Sequence, residues 1–156
     1  MKIIYTQRHQ LDQTTEEQLN ATYCSQPEVI QQADVLTLHA PLTEKTRHLL
    51  TTETFETMKD TALLINAARG PLIDEIDLLQ ALKDKKIAGA ALDVYEFEPA
   101  VSTGLQDLDN VILTPHIGNA SVEARNQMAA IVAKNAIAFS EQKPISYIVN
   151  GLTQEF

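Results

Sequence analysis

Residues 62–94 read ALLINAARGPLIDEIDLLQALKDKKIAGAALDV, and this stretch decides the fold class. Two apolar runs, residues 62–66 and 87–94, enclose a segment with helical features at residues 74–83. That segment starts with an aspartate, has acids in its first turn and ends near lysines. A strand, a helix and a second strand in this order predict two parallel strands joined by a crossover helix. The predicted buried stripe of the helix consists of Ile76, Leu79 and Leu82.

The same alternation continues on both sides of this unit. The apolar runs are mostly continuous, which is typical of strands covered on both faces. The sequence therefore predicts an α/β fold, a doubly wound parallel sheet in one domain. Further strands are predicted at residues 2–6, 33–39 and 111–114, and further helices at residues 26–32, 52–58 and 121–140.

Composition limits the classes of partner. The 156 residues are 44% hydrophobic and carry a formal net charge of −9, which is unfavourable for binding nucleic acid. The single cysteine, Cys24, excludes an intramolecular disulfide and every multi-cysteine metal site. No apolar stretch approaches the roughly 20 residues of a membrane span, and the first residues are too short for a signal sequence. We expect a soluble, cytoplasmic protein with no nucleic-acid or membrane partner.

Polar residues follow the predicted strands at their carboxyl ends, where ligands bind to open parallel sheets. Taken one at a time, such residues are more often ordinary surface residues than functional ones. Together they predict a site at one edge of the sheet. The segments concerned are residues 7–9, 39–41, 66–70, 93–99 and 115–118.

Three of these residues suit carbonyl reduction or alcohol oxidation. His116 carries an imidazole, the side chain best suited to exchange a proton with an oxygen. Glu98 beside it would stabilise the imidazolium, and Arg69 would hold a carboxylate by two parallel hydrogen bonds. The small residues Gly70 and Gly118 allow a ligand or backbone to approach closely. Sequence spacing does not establish that the three side chains meet.

Three long motifs resemble the D-isomer-specific 2-hydroxyacid dehydrogenases. They are LLINAARGPLIDE at residues 63–75, GAALDVYEFEP at residues 89–99 and LTPHIG at residues 113–118. The resemblance extends over residues 2–150 and is strongest to the glyoxylate/hydroxypyruvate reductase and 2-ketogluconate reductase branch. It implies hydride transfer between a nicotinamide cofactor and a 2-keto or 2-hydroxy acid.

The resemblance also implies residue roles. Arg69 would bind the substrate, Glu98 would be the partner of the histidine, and His116 would be the acid/base. Asp93 would lie near the nicotinamide. The predicted lining of the cofactor cleft consists of His39, Ala40, Pro41, Ala67 and Ala68, with Gly118 as a further cofactor-binding residue.

The residues after the first predicted strand bear on cofactor choice. NAD-selective Rossmann domains usually place an acid at the end of the second strand to bind the ribose hydroxyl. Here residues 5–9 read YTQRH, in which Arg8 and His9 can meet a 2′-phosphate. The sequence predicts NADP(H) in preference to NAD(H), and the alternative is that Arg8 is simply solvated.

The chain departs from the family in one respect. The glycine fingerprint G-x-G-x-x-G is missing, since none of the five glycines is two residues from another. We expect an incomplete Rossmann-like sheet without its first strand and phosphate-binding turn, from a truncated or split gene or a late start codon. Residues 1–150 would form a partial dinucleotide-binding domain, and residues 151–156 a stub of the substrate domain.

Several alternatives remain open at this level. Unpaired edges at residues 2–6 or 33–38 and an apolar last helix predict self-association, as a homodimer or otherwise. The chain would then be an oxidoreductase or its remnant, or a non-catalytic dimerisation or regulatory module, or an inactive pseudogene product. A metal site is disfavoured because the histidines lack ligand spacing. Those histidines are His9, His39, His48 and His116.

Overall fold

The computed structural model describes residues 1–146 and 148. The chain divides into two compact units, Met1–His116 and a second unit that begins at Ile117. The strands of the first unit are β1 (Ile3–Tyr5), β2 (Ala21–Tyr23), β3 (Val35–Leu38), β4 (Leu63–Asn66), β5 (Gly89–Leu92) and β6 (Val111–Leu113). Its helices are α1 (Gln13–Leu19), α2 (Gln26–Gln32), α3 (Thr52–Phe55) and α4 (Glu75–Lys83), with 3₁₀ turns at Gly70–Leu72 and Leu105–Asp107.

All strand pairs named here are parallel and fall into two sheets. One sheet pairs β1 with β2, and the other has the order β3-β4-β5-β6. In a Rossmann sheet of order 3-2-1-4-5-6, β2 and β1 correspond to strands 3 and 2, and β3 begins the second half. The described residues therefore form two parallel sheets in the order of a Rossmann-like fold without its first strand, as predicted.

The core lies on one face of the four-stranded sheet. Burial alternates along β3 and β4, with Leu36, Leu38 and Leu64 inside. Full burial of each such side chain stabilises the fold by about 1.5–3 kcal/mol. The helical residues of the same cluster include Val29 and Ile30 of α2, Phe55 of α3, and Leu78, Ala81 and Leu82 of α4.

On the opposite face of β3, β4 and β6 apolar side chains are exposed, so the prediction of strands covered on both faces is wrong for these strands, whereas β5 is buried or half-buried throughout. Val35 is 53% exposed, Leu63 46%, Ile65 38% and Ile112 67%. The pleat points alternate side chains to opposite faces, and the helices of the core cluster pack against the other one. A continuously apolar strand sequence is therefore compatible with burial of only one face of the strand.

Three local features also differ from the sequence prediction. α1 and β2 were not predicted, since Gln13–Leu19 has no apolar stripe and Ala21–Tyr23 is only 3 residues long. The signals for α1 are its caps: the Asp12 carboxylate accepts from the Thr15 N–H at 3.0 Å, and Asn20 is left-handed with φ 49°. In α4, Ile76 is 58% exposed, and Leu78 takes the predicted place in the core.

The second unit contains α5 (Val122–Ser140), close to the prediction. The Ser121 hydroxyl accepts from the Ala124 N–H at 3.1 Å and caps the helix. None of its residues is buried, although Val132 and Phe139 are apolar. Across residues 1–146 and 148, no helix has the length and apolarity needed to span a bilayer. The predicted stub at residues 151–156 lies outside the described residues, and the boundary at residue 150 stays a prediction.

Candidate active site

Arg69 is presented by a short turn after β4. Asn66, the last residue of β4, is only 1% exposed. Its side-chain nitrogen donates to the Arg69 carbonyl at 3.0 Å, and its side-chain oxygen accepts from the Ala68 N–H at 3.1 Å. One buried amide therefore fixes the backbone from Ala68 to Arg69. The exposed guanidinium of Arg69 donates to the Ala68 carbonyl at 2.6 Å.

A cleft of about 550 Å³ opens where β3 and β4 end, within the size range of small-ligand sites. The Thr37 hydroxyl lies 3.1 Å from His39 Nε2 and steadies that ring. Ala67 is exposed next to this cleft in sequence but does not line it. Leu42 was not predicted, and no sequence signal singled it out. The lining residues are His39, Ala40, Pro41, Leu42, Ala68 and Arg69.

His116 and Glu98 are in contact. Nδ1 of His116 lies 3.0 Å from Oε2 of Glu98, and Oε1 of Glu98 accepts from the Tyr95 N–H at 3.0 Å. The hydrogen bond to His116 is the main cause that lowers the pKa of Glu98, followed by the Tyr95 N–H. Because an ionised carboxylate only accepts, Nδ1 carries its hydrogen, and Nε2 is the acceptor in the neutral ring.

The backbone of His116 is left-handed, with φ 54°. A non-glycine residue in this region is uncommon and costs about 1–3 kcal/mol. Its N–H donates to the Thr114 carbonyl at 3.1 Å. The turn after β6 therefore sets where the imidazole meets Glu98.

Asp93, predicted near the nicotinamide, ties two strand ends together. Its Oδ1 accepts from the Thr114 hydroxyl at 2.5 Å, and the Tyr95 hydroxyl donates to the Thr114 carbonyl at 2.7 Å. Thr114 was not assigned a role from sequence, although a hydroxyl directly after a strand is a weak signal. These bonds couple the exits of β5 and β6, which carry Glu98 and His116.

Arg69 acts on this pair through its charge. Its positive charge contributes to the lowered pKa of Glu98, as a smaller cause. In the described part of the chain, no hydrogen bond or ion pair joins Arg69 to Glu98 or His116. The structure thus brings Glu98 and His116 into contact and places Arg69 within electrostatic range.

The other predicted cofactor residues lie elsewhere. Arg8 and His9 are exposed after β1, and the Gln7 side chain donates to the His9 carbonyl at 2.7 Å. They do not line the cleft. Gly118 belongs to the second unit. The roles of all three stay predictions.

The cluster around His48 was missed from sequence. Nε2 of His48 lies 2.6 Å from Oε1 of Glu96, and Nδ1 lies 3.6 Å from Oδ2 of Asp74. The two ring nitrogens face different carboxylates, so these groups do not converge on one ion. Among residues 1–146 and 148, no group of three or more His, Cys, Asp or Glu is arranged to hold a metal.

A parallel Rossmann-like arrangement of strands with polar groups at their carboxyl ends is the architecture typical of nucleotide-binding α/β domains. Residues 1–118 match the family model described as D-isomer specific 2-hydroxyacid dehydrogenase, NAD binding domain. The chain belongs to this family, as the resemblance predicted. The match supports binding of a nicotinamide cofactor by this domain.

The individual relatives support the family assignment, but their names refer to different substrates. A Staphylococcus haemolyticus protein named "Putative 2-hydroxyacid dehydrogenase" is 47% identical over 150 residues, which cover 96% of this chain and 47% of that protein. The chain thus spans about half the length of this curated relative. Holo D-mandelate dehydrogenase of Rhodotorula graminis is 33% identical with TM-score 0.89, covering 98% of this chain and 45% of that one. A glyoxylate reductase of Paecilomyes thermophila is 39% identical with TM-score 0.81, covering 91% and 43%.

Proposed function

We propose that this chain is the cofactor-binding C-terminal part of an NAD(P)-dependent D-2-hydroxyacid dehydrogenase that reduces a small 2-keto acid, such as glyoxylate or hydroxypyruvate. The observation that carries the proposal is the 3.0 Å contact between His116 Nδ1 and Glu98 Oε2. With Arg69 in electrostatic range, the site holds a proton donor, its carboxylate partner and an anion-binding group. The branch of glyoxylate/hydroxypyruvate or 2-ketogluconate reductases is part of the proposal.

Each of the three side chains has a separate task in this proposal. The bound nicotinamide supplies the hydride. His116 gives a proton to the substrate oxygen through Nε2, while Glu98 orients the ring and stabilises its charged form. Arg69 exchanges its bond to the Ala68 carbonyl for two parallel bonds to the substrate carboxylate.

The cleft after β3 and β4 fits the nicotinamide half of a dinucleotide. Its small residues Ala40 and Ala68 leave room for a flat ring. We propose that the residues lining the cleft, together with Asp93, bind the nicotinamide half. No glycine-rich turn for the pyrophosphate occurs in the described residues, so this chain alone should bind the cofactor weakly. Arg8 and His9 support a preference for NADP(H) over NAD(H).

The wider organisation follows the same proposal. Residues 1–150 belong to the dinucleotide-binding domain and residues 151–156 to the return towards the substrate domain. The protein works in the cytoplasm as a homodimer or a larger self-association. The exposed apolar residues of α5 support the self-association.

A second candidate function is a non-catalytic dimerisation or regulatory module, or an inactive remnant. The specific observation in its favour is α5, a helix of 19 residues in which none is buried. Exposed apolar surface of this kind is typical of an interface. Catalytic activity separates this candidate from the dehydrogenase.

The test is complementation of this chain with the N-terminal half of the Staphylococcus haemolyticus relative. We expect NADPH-dependent reduction of glyoxylate or hydroxypyruvate by the complemented protein, measured as loss of NADPH absorbance, and little activity from the chain alone. His116→Ala should lower kcat by about 10²- to 10⁴-fold because the proton donor is removed. Lys45→Ala, at an exposed position, is the control.

Two results would contradict the proposal. A folded complemented protein without reductase activity would favour the non-catalytic module. An active protein whose rate is unchanged by His116→Ala would show that His116 is not the acid.

A further inference from the structure

Glu75 is a buried carboxylate with no task in the chemistry above. It is the first residue of α4 and is only 3% exposed. Its Oε2 accepts from the Glu96 N–H at 2.7 Å, and its Oε1 accepts from the Ser102 N–H at 2.6 Å. A buried carboxylate needs such partners, since an unpaired one is strongly unfavourable. Glu75 therefore holds the backbone on both sides of residues 97–101.

The Glu96 carboxylate in turn binds the backbone of Glu75. Its Oε2 accepts from the Glu75 N–H at 3.2 Å, and its Oε1 lies 2.6 Å from His48 Nε2 and 3.9 Å from Arg47 Nη1. The side chain of Glu96 is only 9% exposed. Two carboxylates thus bind each other's backbone. Arg47 and His48 of the preceding loop lie against Glu96, and His48 also lies 3.6 Å from Asp74 Oδ2.

Gly70 supports the same peptide from another side. A Cβ added at Gly70 would lie 1.9 Å from the carbonyl carbon and oxygen of Tyr95 and 2.5 Å from the Glu96 nitrogen. These are backbone atoms, so a flexible side chain cannot move aside to make room. The turn that carries Arg69 therefore packs directly on the peptide between Tyr95 and Glu96.

The anchored peptide affects the orientation of the Glu98 carboxylate. The Tyr95 N–H donates to Glu98 Oε1 at 3.0 Å, and the same carboxylate meets His116 through Oε2. The Tyr95 N–H lies on the preceding peptide and is joined to the anchored one through the Tyr95 Cα. Release of the anchored peptide would therefore change the direction of this N–H and weaken the bond that aims the carboxylate at His116. Arg69 and His116 are the charged groups that act on Glu98.

We propose that Glu75 is a positioning residue, whose buried carboxylate anchors the Tyr95–Glu96 peptide so that the Glu98 carboxylate faces His116. The inference rests on the proposed function only for the statement that Glu98 and His116 are the catalytic pair. The sequence alone does not suggest it, because Glu75 looks like an ordinary acid in the first turn of a helix.

Titration of the Glu98 carboxyl carbon by NMR in the full chain tests this role. In Glu75→Gln the amide presents an NH₂ where one backbone N–H needs an acceptor, so the peptide shifts. We expect the pKa of Glu98 to rise towards its ordinary value, because the carboxylate no longer meets His116 and the Tyr95 N–H in the same geometry. Glu56→Gln, an exposed substitution of the same kind, should leave it unchanged. An unchanged Glu98 pKa in folded Glu75→Gln would overturn the proposal.

Amide hydrogen exchange in the unmodified chain keeps the proposal testable if Glu75→Gln fails to fold. The Glu96 and Ser102 amides should be protected relative to the amide of exposed Phe97. Equal exchange at all three would overturn the anchoring. A complemented protein that lacks activity while Glu98 titrates as expected would reject the proposed function and leave this inference standing.

Discussion

His116 and Glu98 are 18 residues apart in the chain and 3.0 Å apart in space. Their residue types were predictable, because an imidazole, a carboxylate and a guanidinium after neighbouring strands suit one another chemically. Their contact was not predictable, because it depends on the Thr114 carbonyl, the Tyr95 N–H and the left-handed backbone of His116. These are interactions across two strand exits, which local sequence does not encode.

Arg8 provides a prediction at the scale of one residue. In the complemented protein, Arg8→Gln should weaken NADPH binding about 10- to 100-fold and leave NADH binding nearly unchanged. The reason is loss of charge-assisted hydrogen bonds to the 2′-phosphate, each worth about 1.5–3 kcal/mol. Dissociation constants from fluorescence titration with each reduced cofactor measure this.

The control for Arg8 is Arg125→Gln, at an exposed arginine of α5. It should not change the ratio of the two dissociation constants. Tighter binding of NADH than of NADPH to the unsubstituted protein would reject the NADP(H) preference.

At the scale of elements, α4 shows which part of a helix its sequence determines. Its start was predicted, because Asp74 caps it by accepting from the Ile76 and Asp77 N–H groups, each at 3.1 Å. Its buried face was predicted only in part, because Leu82 is buried and Ile76 is not. An apolar-rich helix can turn more than one face towards the core, and packing against the surrounding residues decides which face is buried.

The Asp74 cap gives a prediction for element stability. Asp74→Ala should lower the free energy of unfolding by about 1 kcal/mol, since two N–H groups of the first turn lose their acceptor. Asp74→Asn should retain most of the stability, because asparagine caps nearly as well. Urea denaturation followed by circular dichroism measures both.

Asp60→Ala, at an exposed turn, is the matched control and should change stability by less than about 0.5 kcal/mol. Equal stability of Asp74→Ala and Asp60→Ala would show that the cap does not stabilise α4.

At the scale of the whole molecule, apolar surface is exposed within each unit. The four-stranded sheet of the first unit exposes Val35, Leu63, Ile65 and Ile112. In the second unit, Val132 is 68% and Phe139 65% exposed. Apolar surface of this extent favours association with other chains.

Self-association is therefore the prediction for the whole molecule. Sedimentation velocity at micromolar concentration should show species larger than the monomer. The double substitution Val132→Lys and Phe139→Lys should shift the distribution towards monomer, because charged side chains disfavour an apolar contact.

Ile76→Lys, at a position of α4 that is 58% exposed, is the control for added charge. A well-folded monomer of the unsubstituted chain at these concentrations would contradict the prediction.

The sequence by itself determined the order of the strands and helices apart from α1 and β2, the family and the chemical types at the strand ends, because these follow from local periodicity, caps and motifs. Only the tertiary structure decided that one face of β3 and β4 is buried in the core and the other is exposed. It also decided that Glu75 and Gly70 meet the Tyr95–Glu96 peptide. The physical reason is that pleating, close backbone approach and buried hydrogen bonds arise between segments distant in the chain.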